Sequence, residues 1–265
     1  MVEGKLVDLL PWTHDASLVA HRDLVRHIST LPKNSIVLFE STPWAVKFAT
    51  NLTNHFLGKK VNDGEVEESL NMILRHTEGY EDAEFQKNTL IAVMDVLHEC
   101  KTRNIKVISI EPENILKTMR TDESAEAPIY TRKNALFVRK REQQMTRLIK
   151  GALQQTRQQI VPCIVGAGHV ISLREMLDKE GIKTNVNTAF SKERLRDECD
   201  ISEKARKLAL LGKEIEAKKL CEESSIRLYR GKKPTLPIAM TISKRLQDRK
   251  AADAKKIQKR LMRRK

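Results

Sequence analysis

The chain has few aromatic residues, no paired cysteines and no long apolar run, and each shortage argues against a class of function. Aromatics make up 4% of 265 residues, too few for a platform on which bases or sugar rings stack. The four cysteines, Cys100, Cys163, Cys199 and Cys221, are scattered without a CxxC pair. That argues against a zinc ribbon or a disulfide framework and predicts reduced thiols in a cytoplasm. No apolar stretch approaches the ~20 residues of a membrane span, and the start at Met1 lacks the basic-then-apolar layout of a secretory signal. There is no GxSxG and no HExxH, and Gly166-Ala-Gly168 has neither the third glycine of a dinucleotide fingerprint nor the lysine of a P-loop.

What the chain does have is 40% apolar residues, enough for one large domain, or one domain and an appendage. The stretch from Ile160 to His169 organises it. A short apolar run that stops in Gly166-Ala-Gly-His169 reads as a buried strand. The periodic segment Val170 to Lys179, with Leu173, Met176 and Leu177 on one face, reads as the helix that follows. Gly166 and Gly168 are expected to allow a tight turn and close backbone approach.

The same alternation runs along the chain. Strands are expected at Lys5–Leu10, which Pro11 would end, at Ser35–Glu40, at Ile105–Ile110 and, on an edge, at Gly181–Val186. Helices are expected from about Leu18 to Ile28, from Pro43 to Phe56, over 65–76, over 81–102 and over 131–157. This predicts an α/β fold, with a largely parallel central sheet of about five strands and flanking helices, over residues 1–190. A helical extension over 191–229 follows, with Leu208, Leu211 and Ile215 as a thin apolar stripe. A Pro-containing linker and a basic helical tail occupy 230–265.

Net charge is +14, and from Thr241 to Lys265 eleven Lys and Arg face only Asp248 and Asp253, a balance of +9. Charge gathered at one end predicts an appended tail that docks on nucleic acid or an anionic surface. A solvated or oligomerising helix without such a partner is the plainer alternative.

Four polar residues share one structural position. His14 comes just after the first strand, Glu40 ends the second, Glu111 follows the third and His169 follows the fourth. In a parallel sheet all four collect at one edge, where open α/β sheets bind ligands. His14, Glu40 and His169 are candidate ligands for a divalent metal, Zn, Mn or Fe. Such a metal would activate a water and polarise a carbonyl while a spare carboxylate served as base. Against this, strand ends are often polar, and Glu111 before Pro112 can simply favour a helix dipole.

The long helix supplies more. Val138, Met145, Leu148, Ile149 and Ala152 share one face, and Arg141 and Glu142 fall on it. A charge on a buried stripe is costly unless paired. One of the two is therefore expected to point into the polar site, with Arg141 holding an anionic group or a carboxylate and Glu111 or Glu142 as base. The alternative is that both reach water from a rim. Cys163, mid-strand, reads as core. His21, His27, His55, His76 and His98 read as surface or packing residues.

This ordered set resembles the TraB/Tiki/erythromycin-esterase-like superfamily, in its TraB-like branch. Arg141-Glu-Gln-Gln-Met145 resembles the ER(D/N)xxM helix motif, and Gly166-Ala-Gly-His169 matches the second GxxH motif. The resemblance covers about residues 5–190 and departs at Pro11, where the first GxxH has glycine, and at Lys140, where the family has glutamate. It implies a metal-dependent, peptidase-like hydrolase acting on a peptide or small molecule. The rival expectation is a non-catalytic protein that holds a ligand in the same fold and binds nucleic acid through the tail over 241–265.

Overall fold

The computed structural model describes residues 4–12, 19–41, 43–56, 83–111, 130–187 and 194–228. His14, the helix expected over 65–76, and the linker and tail over 230–265 lie outside the described residues.

Five strands form one sheet: β1 (Leu6–Trp12), β2 (Ile36–Phe39), β3 (Lys106–Ser109), β4 (Ile160–Gly166) and β5 (Lys183–Val186). Their order is β3-β2-β4-β1-β5 and every pairing is parallel. With the helices that alternate between the strands, this is the α/β fold the sequence predicts. β1 and β4 lie inside the sheet and are buried along almost their whole length, as their near-continuous apolar runs require. The one carboxylate in β1, Asp8, is buried but accepts from Asn185 Nδ2 at 2.6 Å and Asn187 Nδ2 at 3.3 Å.

Proline does not stop β1 where the sequence suggests. β1 runs through Pro11 to Trp12. The backbone of Leu9 turns toward β5, where its carbonyl accepts from Asn187 N, and Pro11, two residues on, faces the same side. The β1–β5 pairing has ended at Leu9, so no ladder bond is lost there. Pro162 in β4 faces β2 before that pairing begins at Leu38. The Gln158 side chain fills the gap: Ile36 N donates to its Oε1 at 2.8 Å, and its Nε2 donates to the carbonyl of Ile160 at 2.6 Å.

The helices are α1 (Val19–Thr30), α2 (Pro43–Phe56), α3 (Ala83–Thr102), α4 (Arg132–Gln155), α5 (Val170–Lys179), α6 (Arg194–Leu210) and α7 (Glu214–Leu228). α4 begins where Thr131 caps it, accepting from Asn134 N at 3.3 Å. α1 and α2 pack on α3, while α4, α5 and α6 pack on one another. The main core joins Leu9, Leu10, Phe39, Met145, Ile149 and Ile164 with the helices around them. Each such side chain is stabilising by about 1.5–3 kcal/mol.

Two expectations about helix faces change. Leu148 is exposed, and the buried face of α4 runs through Ala135, Glu142, Met145, Ile149 and Ala152. The helical extension after 190 is a hairpin of two helices. Gly212, at φ 80°, breaks it, and Lys213 N donates to the carbonyl of Leu208 at 2.9 Å. The stripe assigned to Leu211 and Ile215 is not buried, since they are 75% and 87% exposed. The hairpin instead closes on small residues, Ala205, Ala209 and Ala217, with Ala135 of α4.

β2 leads outward to β3, while its neighbour β4 leads to β5 on the opposite edge. The two connections diverge above the β2–β4 pair, which is where sheets of this kind open to ligands. α6 packs over this point, against the 3-10 turn Ala167–His169 that follows β4.

Candidate functional site

Glu40 follows β2 directly, and its backbone N–H bonds the Ile164 carbonyl of β4 at 2.9 Å. That contact fixes the carboxylate over the end of β4, where its Oε2 accepts from Gly166 N at 2.5 Å. Glu111 arrives just after β3, and His169 ends the 3-10 turn after β4. From α4, Arg141 reaches into all three. Its Nε donates to Glu111 Oε1 at 2.7 Å and its Nη2 to Glu40 Oε1 at 2.6 Å. Nη2 also bonds Glu111 Oε2, which makes that pair bidentate. Nη1 lies 3.0 Å from His169 Nε2.

The opposite side of the imidazole is held by Glu142. Its Oε1 lies 2.8 Å from His169 Nδ1 and accepts from Arg206 Nη1 of α6 at 2.6 Å. Its Oε2 accepts from Ser172 Oγ at 2.7 Å. Arg206 Nη2 donates to the carbonyl of Gly168, so α6 ties the turn that carries His169. Glu142 is fully buried, and a carboxylate there is tolerable because its oxygens are bonded and a guanidinium balances it.

The donors fix the ring's tautomer. A guanidinium only donates, so Nε2 must accept, and the ring proton sits on Nδ1 facing Glu142. Burial works against the charge on Arg141, but Glu40 and Glu111 outweigh it and raise its pKa further above the ordinary value. Guanidinium has five N–H groups, and the bonds to Glu111, Glu40 and His169 use four. One Nη1–H, beside the His169 lone pair, has no partner among the described residues. Arg141 and His169 keep 19% and 13% of their side-chain surface open to solvent.

Glu40, Glu111, Arg141, Glu142 and His169 are thus brought together in one cluster, with His14 outside the described residues. Two roles expected of them meet a different geometry. Glu111 or Glu142 is the expected base, but Glu111 is clamped by Arg141 and Glu142 by His169, Ser172 and Arg206. His14, Glu40 and His169 are the expected metal ligands, and His14 lies outside the described residues. An imidazole and two carboxylates are suitable donors, but here they turn to Arg141, whose guanidinium supplies the positive charge between them. With Arg141 among them, Glu40, Glu111 and His169 turn to the guanidinium rather than to a shared ion position. Among the described residues no group of three or more His, Cys, Asp or Glu side chains is placed to hold one.

Sequence reasoning missed Arg206 and Ser172. Arg206 lies in the segment read as an extension; its signal is the alanine seam Ala205–Ala209, which marks a closely packed helix face. Neither glycine of the turn has a backbone angle reserved to glycine. Gly166 sits at φ −53°, and a Cβ on Gly168 would meet Ser202 Oγ at 3.5 Å, an ordinary contact.

A second histidine–carboxylate pair lies in the core. His21 Nδ1 accepts from Trp12 Nε1 at 3.2 Å, and its Nε2 lies 3.1 Å from Asp95 Oδ2. Both side chains are fully buried, and Asp95 Oδ1 has no partner among the described residues. Desolvation raises the Asp95 pKa, against the lowering effect of His21.

The chain matches no family model, no curated protein and no solved structure. Among the described residues no helix is long and apolar enough to cross a membrane.

Proposed function

We propose that this chain is a hydrolase that cleaves a peptide-type acyl bond at the C-terminal edge of its sheet, with His169 as general base and without a metal at Glu40, Glu111 and His169. One observation carries the reading: His169 Nε2 lies 3.0 Å from Arg141 Nη1, which keeps an N–H without a partner among the described residues, and both side chains stay partly exposed. The ER-type helix and GxxH motifs, which resemble the TraB/Tiki group, support hydrolysis and a peptide substrate. The arginine-filled cluster separates this chain from that group's metal chemistry.

In this mechanism a water enters beside His169 and replaces its contact with Arg141 Nη1. Nε2 takes a proton from the water as its oxygen bonds to the carbonyl carbon. The carbonyl electrons move onto oxygen, where the Nη1–H groups stabilise the charge. Collapse of the tetrahedral species breaks the C–N bond, and the proton on Nε2 passes to the leaving amine. Glu142 holds the ring and balances its transient positive charge, while Glu40 and Glu111 keep Arg141 in place.

A peptide library, incubated in EDTA with the full chain or H169A and read by mass spectrometry, tests this. The expected result is cleavage that H169A slows by at least ~100-fold. Equal rates for the two, or cleavage only after metal is added, would sink the reading.

A second reading concerns the tail, whose +9 balance over 241–265 supports binding to nucleic acid. Duplex affinity should then fall with salt at a log–log slope of about −0.9 per phosphate contact. A chain ending at Pro237 should lose that binding and keep hydrolysis. We also assign the chain to a reducing cytoplasm, a reading supported by four cysteines without a disulfide among them.

A further inference from the structure

We propose that Arg141 is the resident cation of this site: its guanidinium fills a latent divalent-metal position formed by Glu40, Glu111 and His169, and its removal opens that position to a metal. The inference uses the cluster of the proposed hydrolase but not hydrolysis itself.

Three donor groups, carried by three different strand ends, converge on one side chain. Arg141 Nη2 is 2.6 Å from Glu40 Oε1 and also bonds Glu111 Oε2, while Nη1 is 3.0 Å from His169 Nε2. Glu40 Oε1 and His169 Nε2 are themselves 3.5 Å apart. In a tetrahedral site with bonds of ~2.1 Å, neighbouring ligand atoms lie about 3.4 Å apart. Two of the donors are therefore already at ligand spacing.

The surroundings of the imidazole point the same way. A metal-bound histidine usually gives its other N–H to a carboxylate, which fixes the ring and raises its basicity. His169 Nδ1 meets Glu142 at 2.8 Å, and Glu142 is anchored in turn by Ser172 and Arg206. Charge completes the case. The Glu40 and Glu111 side chains are 3% and 6% exposed, and carboxylates this buried need a compensating cation. Arg141 provides one, covalently attached and held charged by these two carboxylates. A metal ion must displace it, so metal and guanidinium are mutually exclusive.

The test is titration of the full chain with Co²⁺, followed by visible absorption, and with Zn²⁺, followed by thermal melts. The parent should show no d–d band and no metal-dependent shift in Tm. R141A should melt lower than the parent in EDTA, bind one Co²⁺ per chain and regain Tm with Zn²⁺. Adding E142Q to R141A should weaken that binding about 10–100-fold, and adding H169A should remove the band. R141K keeps a positive charge to support folding but cannot span three donors; it should bind Co²⁺ more weakly than R141A and more tightly than the parent. Stoichiometric Co²⁺ in the parent that H169A removes would overturn the proposal. So would a folded R141A that takes no metal, or an R141K no tighter than the parent. The titration needs no substrate, so a metal-free parent that cleaves nothing would count against the hydrolase alone.

Discussion

His21 and His169 are built from the same parts and placed differently. Each imidazole lies between a carboxylate and a donor-only group: Asp95 and Trp12 for His21, Glu142 and Arg141 for His169. The core pair has no exposed surface, and one Asp95 oxygen stays unpaired among the described residues. The edge pair is ringed by two guanidiniums, two further carboxylates and a hydroxyl, and His169 keeps 13% of its side chain exposed. A histidine–carboxylate pair is thus not a site by itself. What separates the two is a second layer of charge around the edge pair and the opening at the diverging β2 and β4 connections.

That contrast can be broken most severely at Arg141. R141A strands two buried carboxylates and should cost about 3–5 kcal/mol, measured by urea denaturation in EDTA. R206A comes next. It removes one charge-assisted bond from Glu142 and the tie to Gly168, which should cost about 1.5–3 kcal/mol and about tenfold in hydrolysis. A change in kcat with an unchanged KM would mark Arg206 as a residue that positions His169.

The core side of the comparison gives smaller, pH-dependent effects. Burial raises the Cys100 thiol on α3 to about 12 from its ordinary 9.0. The native state therefore holds this proton more tightly than the unfolded chain. The resulting stability is fully present below pH 9.0 and is lost as pH rises toward about 12. The loss should reach about 1.4 kcal/mol per pH unit, read from denaturation at pH 8 and 10 and reduced in C100A. The smallest change should come from D95N, under about 1 kcal/mol. It keeps an acceptor for His21 and removes a buried charge. Because the Asp95 pKa is raised in the fold, the native state binds the extra proton, and the parent loses stability as pH climbs above the ordinary carboxylate range. D95N should therefore gain on the parent as pH rises above the ordinary carboxylate range, and a constant difference would show that Asp95 is not desolvated as described.

Much of this was legible along the chain. Apolar runs ending in Glu40, Glu111 and Gly166-Ala-Gly-His169, alternating with helical periods, place those residues at one sheet edge once the strands are parallel. Charges on the buried stripe of α4 pointed to Arg141 and Glu142. What was not legible depends on contacts between distant segments. Arg206 lies 37 residues beyond His169 in sequence, on a helix whose buried face is made of alanines rather than of the leucines that pattern reading follows. Pro11 reads as a strand breaker because the sequence does not show which side of the strand lacks a partner. The role of Arg141 as the cation was hidden for a similar reason. Residue types name donors, while only geometry shows that a guanidinium already lies among them.

The most direct test of the account is a long-range proton–nitrogen NMR spectrum of the histidine rings, assigned with H21A and H169A. The Trp12 indole and the Arg141 guanidinium can only donate, so the two rings must be mirror images. The account predicts the proton of His21 on Nε2, facing Asp95, and the proton of His169 on Nδ1, facing Glu142, with the His169 lone pair at Nε2. A His169 ring carrying its proton on Nε2, or on both nitrogens, would contradict it.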